Sequence, residues 1–355
     1  MDNIIPNTNN FISACRRGDL IYAKWMLFLN PTINISAMNE CAFRYVCLSG
    51  HLHVAQWLLQ VKPDINISAD DEYAFRYACG RGHLDVAKWL LQVKPDINIS
   101  ANNECAFCWA CHNGHLDVAQ WLLQVRPTID ISVNDKVVFR YACARGHLSI
   151  AQWLFQIAQE RGFHIMDNIN NDRLGVLLYQ ICEDGHLDML KWLYHIKQDI
   201  PISVSELWQS CRYGHLDMVQ WIIQVKPNIN ISEKNEQAFR YACGRGHLDV
   251  AKWLLQVKPD INISANNECA FSFACSNMKL RVMQWLQQMK PYLYVIEYDE
   301  DGNYKGCKIR NKKDANWEQR KYLVWLASDH CPEENKSNLL YRLPSDVSRL
   351  IVLHL

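Results

Sequence analysis

The apolar residues follow a helical rhythm that breaks at regular points. In LDVAKWLLQV, residues 84–93, the side chains Leu84, Ala87 and Leu91 with Val86, Leu90 and Val93 form a broad apolar face at helical spacing. AFRYAC, residues 74–79, predicts a shorter helix ahead of it. Gly82 lies between the two segments, where a tight helix–helix turn needs a permissive backbone. Pro95 stands six residues after Trp89 and ends the second helix, because proline cannot continue the hydrogen-bond ladder. Asn98 and Ser100 suit an extended turn. Ser100 or Asn102 is expected to cap the next helix, with Glu104 in its first turn.

This unit recurs along the chain. Trp stands at 25, 57, 89, 121, 153, 192, 221, 253 and 285, at intervals of 32 except for one of 39 and one of 29. Seven of the nine units carry Gly-His-Leu, from Gly50-His51-Leu52 to Gly246-His247-Leu248, and seven place Pro six residues after the Trp. Residues 74–107 and 238–271 are identical, which reads as duplication of a module. One such hairpin cannot bury both of its helices, so stacked neighbours must make the core.

Composition narrows the function classes. Lys plus Arg and Asp plus Glu both number 37, so no global positive field exists to neutralise phosphates, and nucleic acid is an unlikely partner class. Hydrophobic residues make up 49% and charged residues 21%, a globular composition. The N-terminus has neither an early basic region nor an apolar run of signal-peptide length, and no apolar stretch could span a bilayer. The expectation is a cytoplasmic or nuclear protein, with no membrane partner, whose 15 cysteines stay reduced. Nine of them lie ten residues before a repeat Trp, which makes them repeat positions and not a disulfide framework.

These residues resemble the ankyrin repeat. Its Thr-Pro-Leu-His helix, Gly-His-Leu turn, Leu-rich helix and Asp-Val-Asn turn map onto AFRYAC-GR-GHLDVAKWLL-INIS over roughly residues 8–290. The departures are a Tyr-Ala-Phe-Arg start, a period of 32 against the usual ~33, and Lys-Pro where a Gly closes the second helix. They imply that the ankyrin finger is reduced to a loop. The Trp-rich variant is similar to the divergent ankyrin families of giant DNA viruses of amoebae, which would place it in a host cytoplasm. The implied architecture is all-α: a solenoid of about nine helix-turn-helix repeats over 1–290, then a capping region over 291–355 with a hairpin and helices. The implied role is a monomeric, non-enzymatic interaction scaffold that needs no cofactor.

Several motifs suggest chemistry. Asn-Ile-Ser at Asn34, Asn66, Asn98, Asn230 and Asn262 fits N-glycosylation, but Asp130-Ile131-Ser132 substitutes in one unit, as a turn tolerates and a glycan site does not. Cys105, Cys108, Cys111, His112 and His115 form a superficially zinc-like cluster, the basis of an alternative zinc- or redox-responsive function. Asp299 to Asn303 lacks the glycine and glutamate of a calcium loop, and its alternating flanks predict a hairpin around Asp301-Gly302. The repeated histidines read as structural caps of the inter-helix turn. No catalytic or metal site is assigned.

In the ankyrin resemblance, the residue two before the repeat Cys faces the concave groove. Here it is Tyr45, Tyr77, Trp109, Tyr141, Gln180, Gln209, Tyr241 and Phe273, with Arg81, His112, Arg145, Arg212 and Arg245 just beyond the Cys. The aromatics and Arg81, Arg145 and Arg245 are the candidate partner-binding residues, since aromatic and arginine side chains dominate interface hot spots. The other reading packs the rings between repeats. The last 65 residues carry a predicted helix near 314–327. They end with Leu343, Pro344, Asp346, Val347 and Ile351, which resemble the opening of an F-box. In poxviral ankyrin proteins such a segment engages the Skp1 adaptor of cullin ubiquitin ligases, an alternative function here; the simpler reading is an amphipathic cap.

Overall fold

A computed structural model describes residues 7–131, 133–163, 165–166, 171–197 and 200–310. It divides into two units, 1–201 and 202–355. The first holds six helical pairs: α1–α2 (Thr8–Arg16, Leu20–Leu29), α3–α4 (Ala37–Leu48, Leu52–Val61), α5–α6 (Ala69–Gly80, Leu84–Val93), α7–α8 (Ala101–His112, Leu116–Val125), α9–α10 (Val133–Ala144, Leu148–Glu160) and α11–α12 (Asn171–Asp184, Leu187–Ile196). The second holds α13–α14 (Val204–Tyr213, Leu216–Val225), α15–α16 (Glu233–Arg245, Leu248–Val257), α17–α18 (Ala265–Ser276, Leu280–Met289) and an antiparallel hairpin, β1 (Tyr294–Tyr298) and β2 (Tyr304–Ile309). The eighteen described helices realise the helix-turn-helix repeat read from the spacing. The F-box-like residues Leu343 to Ile351 and the predicted helix near 314–327 lie outside the described residues.

Each repeat lends its neighbour an aromatic ring. Phe of a first helix receives Trp of the next repeat's second helix at about the same tilt: Phe11–Trp57, Phe43–Trp89, Phe75–Trp121, Phe107–Trp153 and Phe139–Trp192 in the first unit, Phe239–Trp285 in the second, all with centroids 6.2–6.3 Å apart. The phenylalanines are fully buried, and the repeat cysteines from Cys15 to Cys243 are buried beside them as small apolar residues. Burial pushes the Cys15 thiol up to about 12, so it stays protonated and inert.

Histidine ties the turns together in a different way from the cap read in the sequence. It occupies the N-cap position of the second helix, but its side chain caps nothing there. The imidazole reaches the previous repeat instead: Nε2 of His83, His147 and His247 lies 3.0–3.1 Å from the carbonyls of Leu48, His112 and Arg212. The ring also lies against the previous turn's glycine. At Gly82, with φ +82°, a Cβ would stand 2.5 Å from His115 Nδ1, so both the left-handed backbone and the histidine require glycine.

The start of the first helix departs from expectation. Ser100 makes no backbone cap, and Asn102, Asn103 and Glu104 form a single left-handed turn with φ near +57°. The same turn occurs at Met38–Glu40, Asp70–Glu72, Lys234–Glu236 and Asn266–Glu268. Its middle residue is always Asn or Asp, the types that tolerate this region best, but non-glycine residues still cost roughly 1–2 kcal/mol each there. In α3, α5 and α15 arginine offsets this cost. Arg76 donates to the carbonyls of Asp70 and Asp71 and reaches Cys105 Sγ of the next repeat, and Arg240 repeats the pattern with Lys234, Asn235 and Cys269. Buried Glu72 accepts from Ser68 and from the backbone N–H of Asn98 in the following loop. The corresponding loop before α5 is an Asx turn, with Ser68 N–H donating to Asn66 Oδ1 at 3.1 Å, and it stands where the ankyrin finger would be.

The hairpin covers the last repeat. Tyr294 of β1 stacks on Phe271, centroids 4.1 Å apart, in the place where the next repeat's Trp would sit, and its hydroxyl donates to Glu268. Asp299 Oδ1 accepts from the N–H groups of Asp301 and Asn303, so it closes the β-turn expected in place of a calcium loop. One expectation is corrected: Cys275, a repeat cysteine, forms a disulfide with Cys307 of β2. The spacing argument failed because Cys307 lies outside the repeat, and only the folded hairpin brings it over α17.

Two outcomes follow for stability. Burial lowers the pKa of His51, His112, His115 and His247 below the ordinary 6.5. The unfolded chain therefore takes up protons first. Stability should be full above pH 6.5 and fall as pH drops below it, before the carboxylates titrate. Thermal melts between pH 7.5 and 5.5, on the order of the histidine range, should show a declining Tm that is flatter in His51→Gln/His115→Gln/His247→Gln; a flat wild-type profile would contradict this. The disulfide spans 32 residues, so reduction or Cys307→Ser should destabilise the cap by about 3–4 kcal/mol. Amide exchange of β1 and β2 should accelerate while that of α7 does not change.

Candidate functional site

The candidate partner-binding residues line one side of the first helices, and they are joined more closely than their spacing shows. In the first unit, the Arg16 guanidinium lies 5.3 Å from the Tyr45 ring, Tyr77 meets Trp109 edge-on at 4.5 Å, and His112 meets Tyr141 edge-on at 5.0 Å. In the second unit, Arg212 lies 5.6 Å from the Tyr241 ring. Arg16, His112 and Arg212 follow one rule: the residue one after a repeat Cys packs on the aromatic two before the next repeat's Cys. Where that aromatic is large and close, the packing residue is glycine. A Cβ on Gly80 would stand 2.9 Å from the Trp109 Cβ, and one on Gly244 the same distance from the Phe273 Cβ.

The arginines and histidine beyond the Cys therefore fall into two classes. His112 and Arg212, one position on, are engaged with rings. Arg81, Arg145 and Arg245, two positions on, are exposed, and none has a side-chain hydrogen bond or ion pair with another described residue. Among the rings, Tyr141 is 46% and Phe273 42% exposed, while Tyr45, Tyr77, Trp109 and Tyr241 are half-buried. The rings thus pack between repeats and stay partly exposed. Gln180 is exposed, whereas Gln209 is buried and falls out of the row.

Tyr73 joins the row although the spacing did not single it out. It stacks on Tyr77 at 3.9 Å, under the Arg44 guanidinium at 4.8 Å, and Arg44 is held by Asp70 of the left-handed turn. Burial and the neighbouring Tyr77 raise its pKa. Its helical offset of four from Tyr77 was the available signal. In the second unit, Lys234 lies 4.7 Å from the ring of Trp208, which is buried.

The zinc-like cluster is dispersed. Cys105 Sγ accepts from Arg76, Cys108 Sγ lies 3.9 Å from the Asn103 carbonyl, Cys111 is fully buried, and His112 turns to Tyr141. Burial pushes the Cys108 thiol up to about 12 and raises that of Cys111, which opposes the thiolate a metal would bind. Among the described residues, no group of three or more His, Cys, Asp or Glu is arranged to hold a metal ion. No described helix is long and apolar enough to cross a membrane.

Comparison with known proteins agrees with this architecture. The family model for ankyrin repeats in three copies matches residues 43–136 and 207–294, together just over half of the chain. A comparison with curated individual proteins finds no match. With its stacked helical pairs, inter-repeat histidine contacts and family match, the chain belongs to the ankyrin repeat family.

Proposed function

We propose that the aromatic row of the first helices in residues 1–201 is the face that captures a protein partner. Ankyrin repeats are a protein–protein interaction domain, and the carrying observation is local: exposed Arg81 and Arg145 have no ion partner beside the open edges of Tyr77, Trp109 and Tyr141. Rings already held by their neighbours lose little freedom on binding, and the arginines offer donors that no described side chain occupies. Tyr241, Arg245 and Phe273 offer a similar face in the second unit. The second helices present Asp85, Lys88 and Gln92 to solvent, and their half-buried tryptophans are packed on the neighbouring repeat's phenylalanine. The resemblance to viral ankyrin families makes a host cytoplasmic protein the first class of partner to screen.

The test is capture by proximity labelling, followed by direct binding of the partner identified. Arg81→Glu/Arg145→Glu/Tyr141→Ala should weaken that binding at least about tenfold, as expected for the loss of interface anchors. Lys88→Glu/Gln92→Glu on the opposite helices should leave it unchanged. Equal loss in both variants, or in neither, would reject the assignment.

A further inference from the structure

The ends of the first helices in residues 1–201 carry a charge pattern of their own. From the row position to the turn glycine, residues 13–18, 45–50, 77–82, 109–114 and 141–146 hold Arg16, Arg17, Arg81, His112 and Arg145 and no Asp or Glu. The next repeat ends this run with Glu183 and Asp184. Along the run, the position two after the repeat Cys alternates: Arg17, Ser49, Arg81, Asn113 and Arg145. Arg81 is the C-cap residue of α5, where a guanidinium could turn back to the last carbonyls, but it has no side-chain bond to a described residue, and neither has Arg145. Each stands four residues after a ring, Tyr77 or Tyr141, and so one helical turn beyond it on the same face. Asn113, between them, is already engaged, its side-chain amide donating to the Gly80 carbonyl at 2.6 Å.

We infer that this face takes an extended acidic peptide, with one carboxylate on Arg81, a second on Arg145 and apolar side chains on Trp109 between them. The inference rests on the partner face proposed above and names the chemistry of its occupant. α5 packs on α7, and α7 on α9. Neighbouring helices pack about 8–10 Å apart, so the two arginines are separated by roughly 16–20 Å. An extended chain advances about 3.3 Å per residue, so it crosses that span in about five or six residues. Residues an even number apart point to one side of an extended chain, which places the acids at i and i+6. The Trp109 ring, half-buried and held edge-on by Tyr77, and the exposed Tyr141 ring offer apolar contact to side chains at i+2 and i+4. A guanidinium matches a carboxylate through two parallel N–H bonds. A dianionic phosphate suits the face less: the arginines stand singly, and beside them lie the carbonyl ends of α5 and α9, which carry partial negative charge.

The experiment is selection of a phage-displayed library of random peptides, longer than this span, on the full chain. Selected peptides should be enriched in pairs of Asp or Glu at i and i+6 with apolar residues between them. Arg81→Glu/Arg145→Glu alters two exposed side chains without bonds, so its Tm should match wild type. It should bind a fluorescein-labelled selected peptide at least about tenfold more weakly, and selection on it should turn to Lys or Arg at the same two positions. No selected peptide, acids without that spacing, or binding unchanged in Arg81→Glu/Arg145→Glu would overturn the inference. So would a single-stranded oligonucleotide that binds through the same arginines and displaces the peptide. A folded partner whose capture depends on Arg81, Arg145 and Tyr141 while no peptide is selected removes the acidic occupant and leaves the face. Capture independent of all three removes both.

Discussion

The contact between a phenylalanine and the next repeat's tryptophan is the interaction on which the rest depends. A pair of helices twelve and ten residues long exposes too much apolar surface to be stable alone. Placing Trp121 on Phe75, and Trp89 on Phe43, turns each pair's exposed side into its neighbour's core. The histidine bonds, the glycine turns and the buried glutamates then act within that spacing. Once neighbours sit one repeat apart, Nε2 of His83 can reach Leu48, and Glu72 can reach the backbone of Asn98. The hairpin satisfies the same requirement at the end of the second unit, where Tyr294 takes the place of the missing tryptophan on Phe271.

The left-handed turn explains a sequence departure that the family resemblance left open. An ankyrin first helix usually opens on Thr-Pro-Leu-His, whereas this chain writes an acidic or amide run before Ala-Phe-Arg. Arginine at that position holds the carbonyls of the turn, and glutamate anchors the turn to the following loop. The repeat at α7 has Cys108 where α3, α5, α9 and α15 have arginine, and together with His112 that change made a zinc-like spacing. Its cysteines belong to the packing of the turn.

The proposed partner face and the exposure of its residues were legible to different degrees. The aromatic row could be read because repetition multiplies one position, so Tyr45, Tyr77, Trp109 and Tyr141 announced themselves as a series. Exposure within the row could not be read, since it depends on what the previous repeat presents. Gly80 lets Trp109 close in, while His112 sets Tyr141 edge-on and leaves it open. Ile21 and Phe28 are apolar in the sequence, and only the fold leaves them 83% and 82% exposed. An apolar side chain declares its face only after the helix has been rotated against its neighbours.

The sequence by itself determined the period, the helical pairs and where each helix ends, because these follow from local properties: apolar spacing, glycine at the turn and proline after the second helix. It also determined the family, through the repeated Gly-His-Leu. Tertiary structure decided the left-handed turns, the reach of each histidine, the Cys275–Cys307 bond and which apolar residues face water. Each of these depends on atoms brought together from different repeats, or from a repeat and the hairpin. Such distances are set by packing, which no single repeat encodes.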